Sequence, residues 1–326
     1  MGKTIALRRL GKSDLMVSPI GLGCWQFSRQ KGLSGKYWPF LEASEILEIV
    51  KNSLEGGINW FDTAEAYGSG ESEKALSEAL RILGKSKEEV IIATKWMPIF
   101  RKAASIIKTI GKRIQCLNNY RIDLYQIHQP WSFSSIKAQM RAMAQLVHEK
   151  KVRCIGVSNF SAKRMRRAHL ELSNLGLDLI SNQVRYSLLD RRIETNGILD
   201  TAKELGVSII AYSPLAQGVL SGKFHDEPGL IRQRSGYRKY MGGFKPKGLE
   251  RSRGVVNALK ELATKYEVTP SQIALNWVIH FCGEIIVAIP GATSSTQAKD
   301  NTGAMSFRLA EEELLALDEI SAPFKI

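Results

Sequence analysis

Short, almost entirely apolar runs alternate with amphipathic helical stretches along most of the chain, and this alternation limits the fold more than any other feature. Runs that are short and continuously apolar are typical of parallel strands covered on both faces. Between them, apolar residues recur with a helical period, as at Ile46, Ile49, Val50 and Leu54. The eight apolar runs, in chain order, are Ile20–Gly23, Ile58–Asp62, Val90–Thr94, Leu124–His128, Cys154–Ser158, Leu179–Val184, Ser208–Tyr212 and Ile285–Ile289.

Eight strand–helix units predict an α/β fold, the closed (β/α)8 barrel or TIM barrel. We expect this barrel to form a single domain over residues 1–326. An open, doubly wound sheet would instead need a G-x-G-x-x-G turn after its first strand. After Ile20 the chain continues as GLGCWQF, which lacks the third glycine. The barrel is therefore the predicted architecture.

Two segments fall outside the regular alternation. Residues 1–19 contain two short strand patterns around Gly11 and Lys12, which predict an N-terminal β-hairpin at the barrel floor. Residues 213–248 form a long insertion after the seventh strand, and its part from Pro228 to Gly248 carries six Lys or Arg and no acidic residue. A barrel builds its site from the loops that follow its strands. We therefore interpret this basic loop as a lid over an anionic cofactor or substrate.

Composition excludes several classes of protein. Hydrophobic residues make up 44% of the chain and charged residues 24%, which is typical of globular proteins and not of disordered or fibrous ones. No apolar run approaches the ~18–20 residues of a membrane span, and the N-terminus lacks the apolar core of a secretory signal. We expect a cytoplasmic protein without a membrane partner. The four cysteines and five histidines have no metal-site or disulfide spacing, so we predict no metal.

The formal net charge of +14 favours anionic partners, which include nucleic acids, phosphorylated cofactors and acidic substrates. One helix pattern carries a basic cluster at Lys163, Arg164, Arg166 and Arg167. No aromatic platform is interleaved with this cluster and the chain contains no known nucleic-acid module. We predict a small-molecule substrate and no nucleic acid; the sequence leaves both a monomer and a homo-oligomer open.

The carboxyl ends of consecutive strands carry side chains whose chemistry fits one task. Asp62 ends the second run, Lys95 follows the third, His128 ends the fourth, and Tyr67 lies in the loop after Asp62. Tyrosine has an ordinary pKa near ~10; a neighbouring ammonium lowers this pKa, and a carboxylate holds the ammonium in place. The set predicts Tyr67 as a general acid tuned by Lys95 and Asp62, with His128 as a second hydrogen-bond donor to the substrate oxygen.

Longer motifs around these residues resemble those of the aldo-keto reductases, and together they extend over nearly the whole chain. They include GGINWFDTAEAYGSGESE, VIIATKW, RIDLYQIHQP, KVRCIGVSNFS, AYSPLAQGVLSGKF and IPGATSSTQAKDN. The resemblance implies an NAD(P)H-dependent barrel in which Asp62, Tyr67, Lys95 and His128 form the catalytic tetrad. It implies the reduction of aldehydes and ketones to alcohols, with hydride passing from the nicotinamide to the carbonyl carbon while Tyr67 protonates the oxygen.

The resemblance also implies which residues contact the cofactor. Ser158, Asn159 and Gln183 match residues that hold the nicotinamide carboxamide, and Tyr212 matches the aromatic residue that stacks on the nicotinamide ring. The contacts implied for the rest of the cofactor are Ser213, Leu215, Gly218 and Lys223 at the pyrophosphate, Pro290, Gly291, Thr293, Ser294, Gln297 and Asn301 toward the adenosine, and Gly23, Trp25 and Asp62 near the tetrad.

One departure from the family pattern bears on the choice of cofactor. Relatives that prefer NADP often carry Lys or Arg just after Thr293, where this chain has Ser294 and Ser295. Hydroxyl and backbone N–H groups at a helix N-terminus still bind a phosphate, and the basic lid adds cations. We therefore predict NADP as the cofactor, with NAD as the alternative.

Aromatic residues that follow three of the strands are candidates for the wall of the substrate pocket. These are Trp25 and Phe27 after the first strand, Trp96 after Lys95, and Trp131 after His128. Such a wall suits apolar or aromatic aldehydes and ketones. Two other functions of the fold remain as alternatives: a dinucleotide-binding regulatory subunit with little turnover, and an isomerase or lyase without redox chemistry. The complete tetrad favours the reductase.

Overall fold

The computed structural model describes residues 5–31, 37–234 and 236–326. Residues 1–4 of the predicted hairpin segment and Ser235 of the predicted lid therefore lie outside the described residues. Two short antiparallel strands, β1 (Arg8–Arg9) and β2 (Met16–Val17), form the predicted hairpin. Gly11 in their turn has φ +56°, and a Cβ there would overlap the carbonyl group of Ile180 in the barrel.

The hairpin closes the floor of the barrel, as predicted. Its apolar side chains and those that point inward from the barrel strands form one buried cluster: Leu10, Leu15, Val17, Trp60, Ala93, Leu124, Ile180, Ile210, Val287 and Ile289.

Eight parallel strands form a single sheet in which chain neighbours are also spatial neighbours. Isolated parallel bridges from Ile20 to Ala288 and from Gly23 to Gly291 join the first strand to the last, so the sheet closes into the predicted barrel. The strands are β3 (Leu22–Gly23), β4 (Trp60–Asp62), β5 (Ile91–Trp96), β6 (Ile122–Ile127), β7 (Val152–Ser158), β8 (Leu179–Arg185), β9 (Ser208–Tyr212) and β10 (Ile286–Ile289).

Amphipathic helices cover the outside of the barrel. In the first of them, Ile46, Ile49 and Val50 are at most 1% exposed, as their spacing predicts. Ser135 and Ser161 each cap a helix by accepting a backbone hydrogen bond. The helices are α1 (Ala43–Glu55), α2 (Glu71–Ile82), α3 (Ala104–Cys116), α4 (Ile136–His148), α5 (Ala162–Ser173), α6 (Ile198–Leu205), α7 (Lys223–Asp226), α8 (Pro246–Tyr266), α9 (Pro270–His280), α10 (Ser295–Gly303) and α11 (Glu311–Ile320).

The insertion after β9 is folded into short helical turns. Besides α7, it contains 3₁₀ turns at Ala216–Ser221, Pro228–Gln233, Gly236–Tyr240 and Gly242–Phe244. Its own apolar cluster includes Phe224 and Phe244, whose ring centroids lie 4.7 and 4.2 Å from the guanidinium carbon of Arg234. The insertion is thus anchored by packing of its own. Within the described ranges, no helix is long and apolar enough to cross a membrane.

Candidate active site

A cavity of about 720 Å³ opens at the carboxyl ends of the barrel strands. The residues that line it come from the loops after the strands and from the basic insertion. Among them are Asp62, Tyr67 and His128 of the predicted tetrad, and every predicted cofactor contact except Ser294. The cavity therefore lies at the strand ends, where the sequence predicted a site.

Lys95 is the centre of the site. Its side chain is fully buried, and its ammonium forms an ion pair with the carboxylate of Asp62. The same ammonium donates to the carbonyl oxygen of Thr63 at 2.8 Å and to the hydroxyl oxygen of Tyr67 at 3.4 Å. β4 and β5 are hydrogen-bonded neighbours, which brings Asp62 and Lys95 together. The predicted contacts among acid, lysine and tyrosine are present.

The second carboxylate oxygen of Asp62 is held by two amides. Gln126 donates to it at 3.1 Å and Gln183 at 2.9 Å. Gln183 was predicted as a cofactor contact, whereas Gln126 was not predicted from the sequence. Its signal was its place on β6 two residues before His128, because alternate residues of a strand point to the same face. These two amides, together with the Lys95 ammonium on the other oxygen, fix the carboxylate in one orientation.

The electrostatics of the tetrad differ from the prediction in one respect. Burial raises the pKa of Tyr67 above its ordinary value of 10.0, and the nearby Lys95 lowers that pKa by less than burial raises it. Lys95 thus lowers this pKa as predicted, but burial, which the sequence does not reveal, has the larger effect, so the net pKa lies above the ordinary value. Tyr67 is a protonated phenol at neutral pH.

The charges of Lys95 and His128 follow from the same surroundings. Burial alone would lower the pKa of Lys95, but Asp62 and then Tyr67 raise it, and the net pKa is above its ordinary value. Burial, and after it Lys95, holds the pKa of His128 well below 6.5. The site therefore contains an ammonium, a neutral phenol and a neutral imidazole at neutral pH. The rings of Tyr67 and His128 meet edge to face with centroids 5.5 Å apart, so both reach the same part of the cavity.

A network of hydrogen bonds joins the residues predicted to hold the nicotinamide. The hydroxyl of Ser158 and the backbone N–H of Asn159 both donate to the carbonyl oxygen of Gln183, each at 2.9 Å. The hydroxyl of Tyr212 donates to Asn159 Oδ1 at 3.1 Å. Asn159 has φ +59°, a strained conformation for a residue with a side chain. The structure thus brings all four residues together at the ends of β7, β8 and β9.

The loop after β9 has the backbone geometry of an anion site. Positive φ angles occur at Ser213 (+51°), Ala216 (+47°), Gln217 (+63°) and Gly218 (+94°). Such left-handed turns direct backbone N–H groups into a concavity that suits an anion. Lys223 lines the same part of the cavity; burial, and after it Arg234 and Arg238, lowers its pKa. Lys223 and Arg234, which donates to the carbonyl oxygen of Gln217, are therefore the cations at this loop.

The segment after β10 approaches the cavity closely. A Cβ on Gly291 would overlap the side-chain amide of Gln26, so a larger residue there would require Gln26 to move. Gln297 accepts from the backbone N–H of Thr293 at 2.9 Å. The hydroxyl of Ser294 accepts from the backbone N–H of Gln297 at 3.3 Å and thereby caps α10. Ser294 is absent from the cavity lining, and its predicted contact with the cofactor stays a prediction.

Three of the four predicted wall residues lie elsewhere. Trp25 lines the cavity and stacks on Tyr67, with centroids 5.7 Å apart and ring planes 19° apart. Phe27 and Trp96 are 0% exposed in the core, and Trp131 is 64% exposed and lines a separate surface groove. Trp96 follows Lys95 on β5, so when Lys95 points inward Trp96 points outward to the helices. The cavity lining also includes Trp38, Met97 and Gln129, which were not predicted from the sequence.

Within residues 5–31, 37–234 and 236–326, no group of three or more His, Cys, Asp or Glu side chains is placed to hold a metal ion. The cavity instead holds the phenol of Tyr67 beside the fixed ammonium of Lys95, and its lining includes Lys223, Arg234 and Arg238.

Comparison with known proteins gives the same picture. The profile of the Aldo/keto reductase family matches residues 19–322. An uncharacterized oxidoreductase of Mycobacterium tuberculosis is 36% identical over 310 residues, which cover 95% of this chain and 91% of that protein.

Two solved structures show the similarity of fold. The glycerol dehydrogenase AKR11B4 from Gluconobacter oxydans superposes with a TM-score of 0.84 at 26% identity, covering 98% of this chain and 96% of that one. An aldo/keto reductase from Klebsiella pneumoniae, solved with NADP and acetate, superposes with a TM-score of 0.72 at 25% identity. The match covers 98% of this chain and 96% of that one. The family match over nearly the whole chain, the (β/α)8 barrel and the complete tetrad lead to one conclusion: this chain belongs to the aldo/keto reductase family of oxidoreductases.

Proposed function

We propose that this chain reduces aldehydes or ketones to alcohols with NADPH, and that Tyr67 donates the proton. The observation that carries the proposal is the buried Lys95 ammonium, which contacts both Asp62 and Tyr67 at the floor of the cavity. A fixed cation beside a phenol stabilises the phenolate that forms when the proton leaves. A cation held there by a carboxylate and a carbonyl oxygen fits this task.

Each residue of the tetrad has a defined role in the proposed step. The carbonyl oxygen gains negative charge as its carbon accepts hydride, and the O–H bond of Tyr67 breaks as the alcohol O–H bond forms. The phenolate that remains faces Lys95 across 3.4 Å and is then reprotonated from solvent. His128, a neutral imidazole, donates a hydrogen bond to the same oxygen and thereby orients the carbonyl group.

NADPH supplies the hydride when it is bound. The residues proposed to hold its nicotinamide end are Ser158, Asn159, Gln183 and Tyr212, which already form one hydrogen-bonded network. The positive-φ loop at Gly218 and the nearby Lys223 suit its pyrophosphate. The Klebsiella relative was solved with NADP, which supports the phosphorylated cofactor. NAD remains the alternative, because no Lys or Arg follows Thr293 directly.

The proposal includes a cytoplasmic location and a small-molecule carbonyl compound as the partner. The alternative is a dinucleotide-binding regulatory subunit with little turnover. Initial rates of NADPH oxidation, measured at 340 nm with a panel of aldehydes, decide between the two. We expect many turnovers per site, and saturable NADPH binding without turnover on any member of the panel would contradict the proposal.

A further inference from the structure

One buried cation in the lid has no counter-charge. Arg238, in the turn Gly236–Tyr240, is only 6% exposed and lines the cavity. In the part of the chain that the structure describes, its Nε and Nη1 atoms have no hydrogen-bond partner, and the guanidinium forms no ion pair. A buried charge without a partner is costly, and proteins rarely keep one unless a ligand satisfies it.

Aromatic rings fix this guanidinium in place without neutralising it. Its central carbon lies 3.9 Å from the ring centroid of Trp38 and 5.5 Å from that of Tyr37. Tyr37 is itself held by a 2.7 Å hydrogen bond to the side chain of Gln217. Burial lowers the pKa of Arg238 to about 10, so it remains a cation at neutral pH. The group is therefore charged, packed against two rings and able to bind an anion.

The aromatic wall connects Arg238 to the proposed proton donor. Tyr37 stacks on Trp25 with centroids 4.5 Å apart, and Trp25 stacks on Tyr67. Trp38, which carries the guanidinium on its ring, meets Trp25 edge to face at 5.9 Å. Arg238 thus belongs to the same wall as the ring that faces the carbonyl group.

Two neighbouring cations lie at the loop proposed for the pyrophosphate. Arg234 donates to the carbonyl oxygen of Gln217 at 2.7 Å, next to Gly218, and packs between Phe224 and Phe244. Arg234 and Lys223 are therefore placed at the loop proposed for the pyrophosphate. Arg238 instead packs on the aromatic wall that continues to Tyr67.

We propose that Arg238 binds a carboxylate of the substrate, so that the preferred substrates are aldehydes or ketones that carry a carboxylate at the end remote from the carbonyl group. This proposal rests on the reductase function proposed above. A guanidinium pairs with a carboxylate through two parallel hydrogen bonds, which fixes both the distance and the orientation of the carbonyl group. Nε and Nη1 of Arg238 both lack a partner among the described residues, so this guanidinium has N–H groups left to donate to a carboxylate.

The test uses pairs of substrates that differ only in this charge: 4-formylbenzoate and its methyl ester, and 4-oxobutanoate and its methyl ester. The parent enzyme is expected to have a kcat/KM for each acid roughly 10- to 100-fold above that for its ester, the effect of hydrogen bonds to a charged group. Arg238→Gln is expected to remove this preference through the KM of the acids. It should leave kcat/KM for the esters and the NADPH dissociation constant unchanged.

Two further variants serve as controls. Arg232→Gln removes the same charge from the same loop, but Arg232 is exposed and lies outside the cavity lining, so the preference for acids should persist. Arg238→Lys keeps the charge without the paired geometry and should recover only part of the preference. Thermal unfolding monitored by circular dichroism verifies that each variant is folded.

Three results would overturn the assignment. These are equal kcat/KM for acid and ester in the parent, an undiminished preference in Arg238→Gln, and an equal loss for acid and ester together with weaker NADPH binding. The last would assign Arg238 to the dinucleotide. If the parent turned over no member of either pair, the reductase function would fail by itself. Quenching of tryptophan fluorescence by 4-oxobutanoate, saturable in the parent and absent in Arg238→Gln, would then still support the carboxylate site, and its absence in the parent would refute it.

Discussion

Replacing Lys95 by methionine removes the one charge on which both the stability and the chemistry of the tetrad depend. Methionine has nearly the same length and fits a buried site, so the change deletes the charge with little change in volume. Asp62 then keeps only the amide donors of Gln126 and Gln183 for its carboxylate. A buried charge that loses its partner destabilises a protein by about 3–5 kcal/mol. We expect Lys95→Met to lower the free energy of unfolding by that amount.

The same variant should lose activity for a separate reason. Burial already raises the pKa of Tyr67, and loss of the ammonium removes the main influence that opposes this rise. The hydroxyl becomes a weaker acid, and the phenolate has no cation to stabilise it. Loss of general acid catalysis lowers kcat by about 10²- to 10⁴-fold.

A double variant separates the two effects. Asp62→Asn combined with Lys95→Met removes both buried charges, so the unfolding free energy should return toward the parent value while aldehyde reduction stays low. Urea unfolding at neutral pH measures the first quantity and initial rates of NADPH oxidation the second. Lys108→Met, at an exposed position on α3, is the matched control and should change neither. Parent-like stability of Lys95→Met, or recovered activity in the double variant, would refute the reasoning.

Three further predictions concern the acid, a buried ion pair behind it and the phosphate loop. Reduction needs protonated Tyr67, and the pKa of Tyr67 lies above 10.0. We therefore expect kcat to stay constant through neutral pH and to fall only at strongly alkaline pH. A pH–rate profile that declines near neutrality would contradict this prediction. Arg113 forms an ion pair with the fully buried Glu73, so Arg113→Met should cost about 3–5 kcal/mol in urea unfolding. Burial raises the pKa of Glu73 to about 7, and a protonated carboxyl group needs no cation. The loss of unfolding free energy in this variant should therefore become smaller below pH 7. An equal loss at acidic and alkaline pH would count against the ion pair. Gly218→Ala forces alanine to φ +94° and should weaken NADPH binding by roughly tenfold in a fluorescence titration. Gly229 has open space around it and no positive φ, so the Gly229→Ala control should bind NADPH like the parent.

The sequence alone predicted the barrel and most of the cavity because both follow from local patterns. Buried parallel strands have a compositional signature, and the residue that ends such a strand is directed to the mouth of the barrel. Asp62, Lys95 and His128 were therefore placed correctly from their positions at the ends of runs. The hairpin was predictable for a similar reason, since Gly11 marks its turn.

The features that the sequence did not reveal depend on packing between distant segments. Strand alternation would have excluded Trp96 from the cavity wall, but the exact end of β5 was needed to apply it. Trp38 lies far from any strand end in the sequence, and it reaches the cavity only through the folded arrangement of the loops. The raised pKa of Tyr67 and the isolated charge of Arg238 both arise from burial, which is a property of the folded chain.

The most direct test of the proposed chemistry is the rate of aldehyde reduction by Tyr67→Phe, measured alongside its affinity for NADPH. The substitution deletes one hydroxyl group and leaves the ring that stacks on Trp25. If this hydroxyl protonates the carbonyl oxygen, kcat falls by ~10² or more while the NADPH dissociation constant stays at the parent value. Reduction at the parent rate would show that another group supplies the proton.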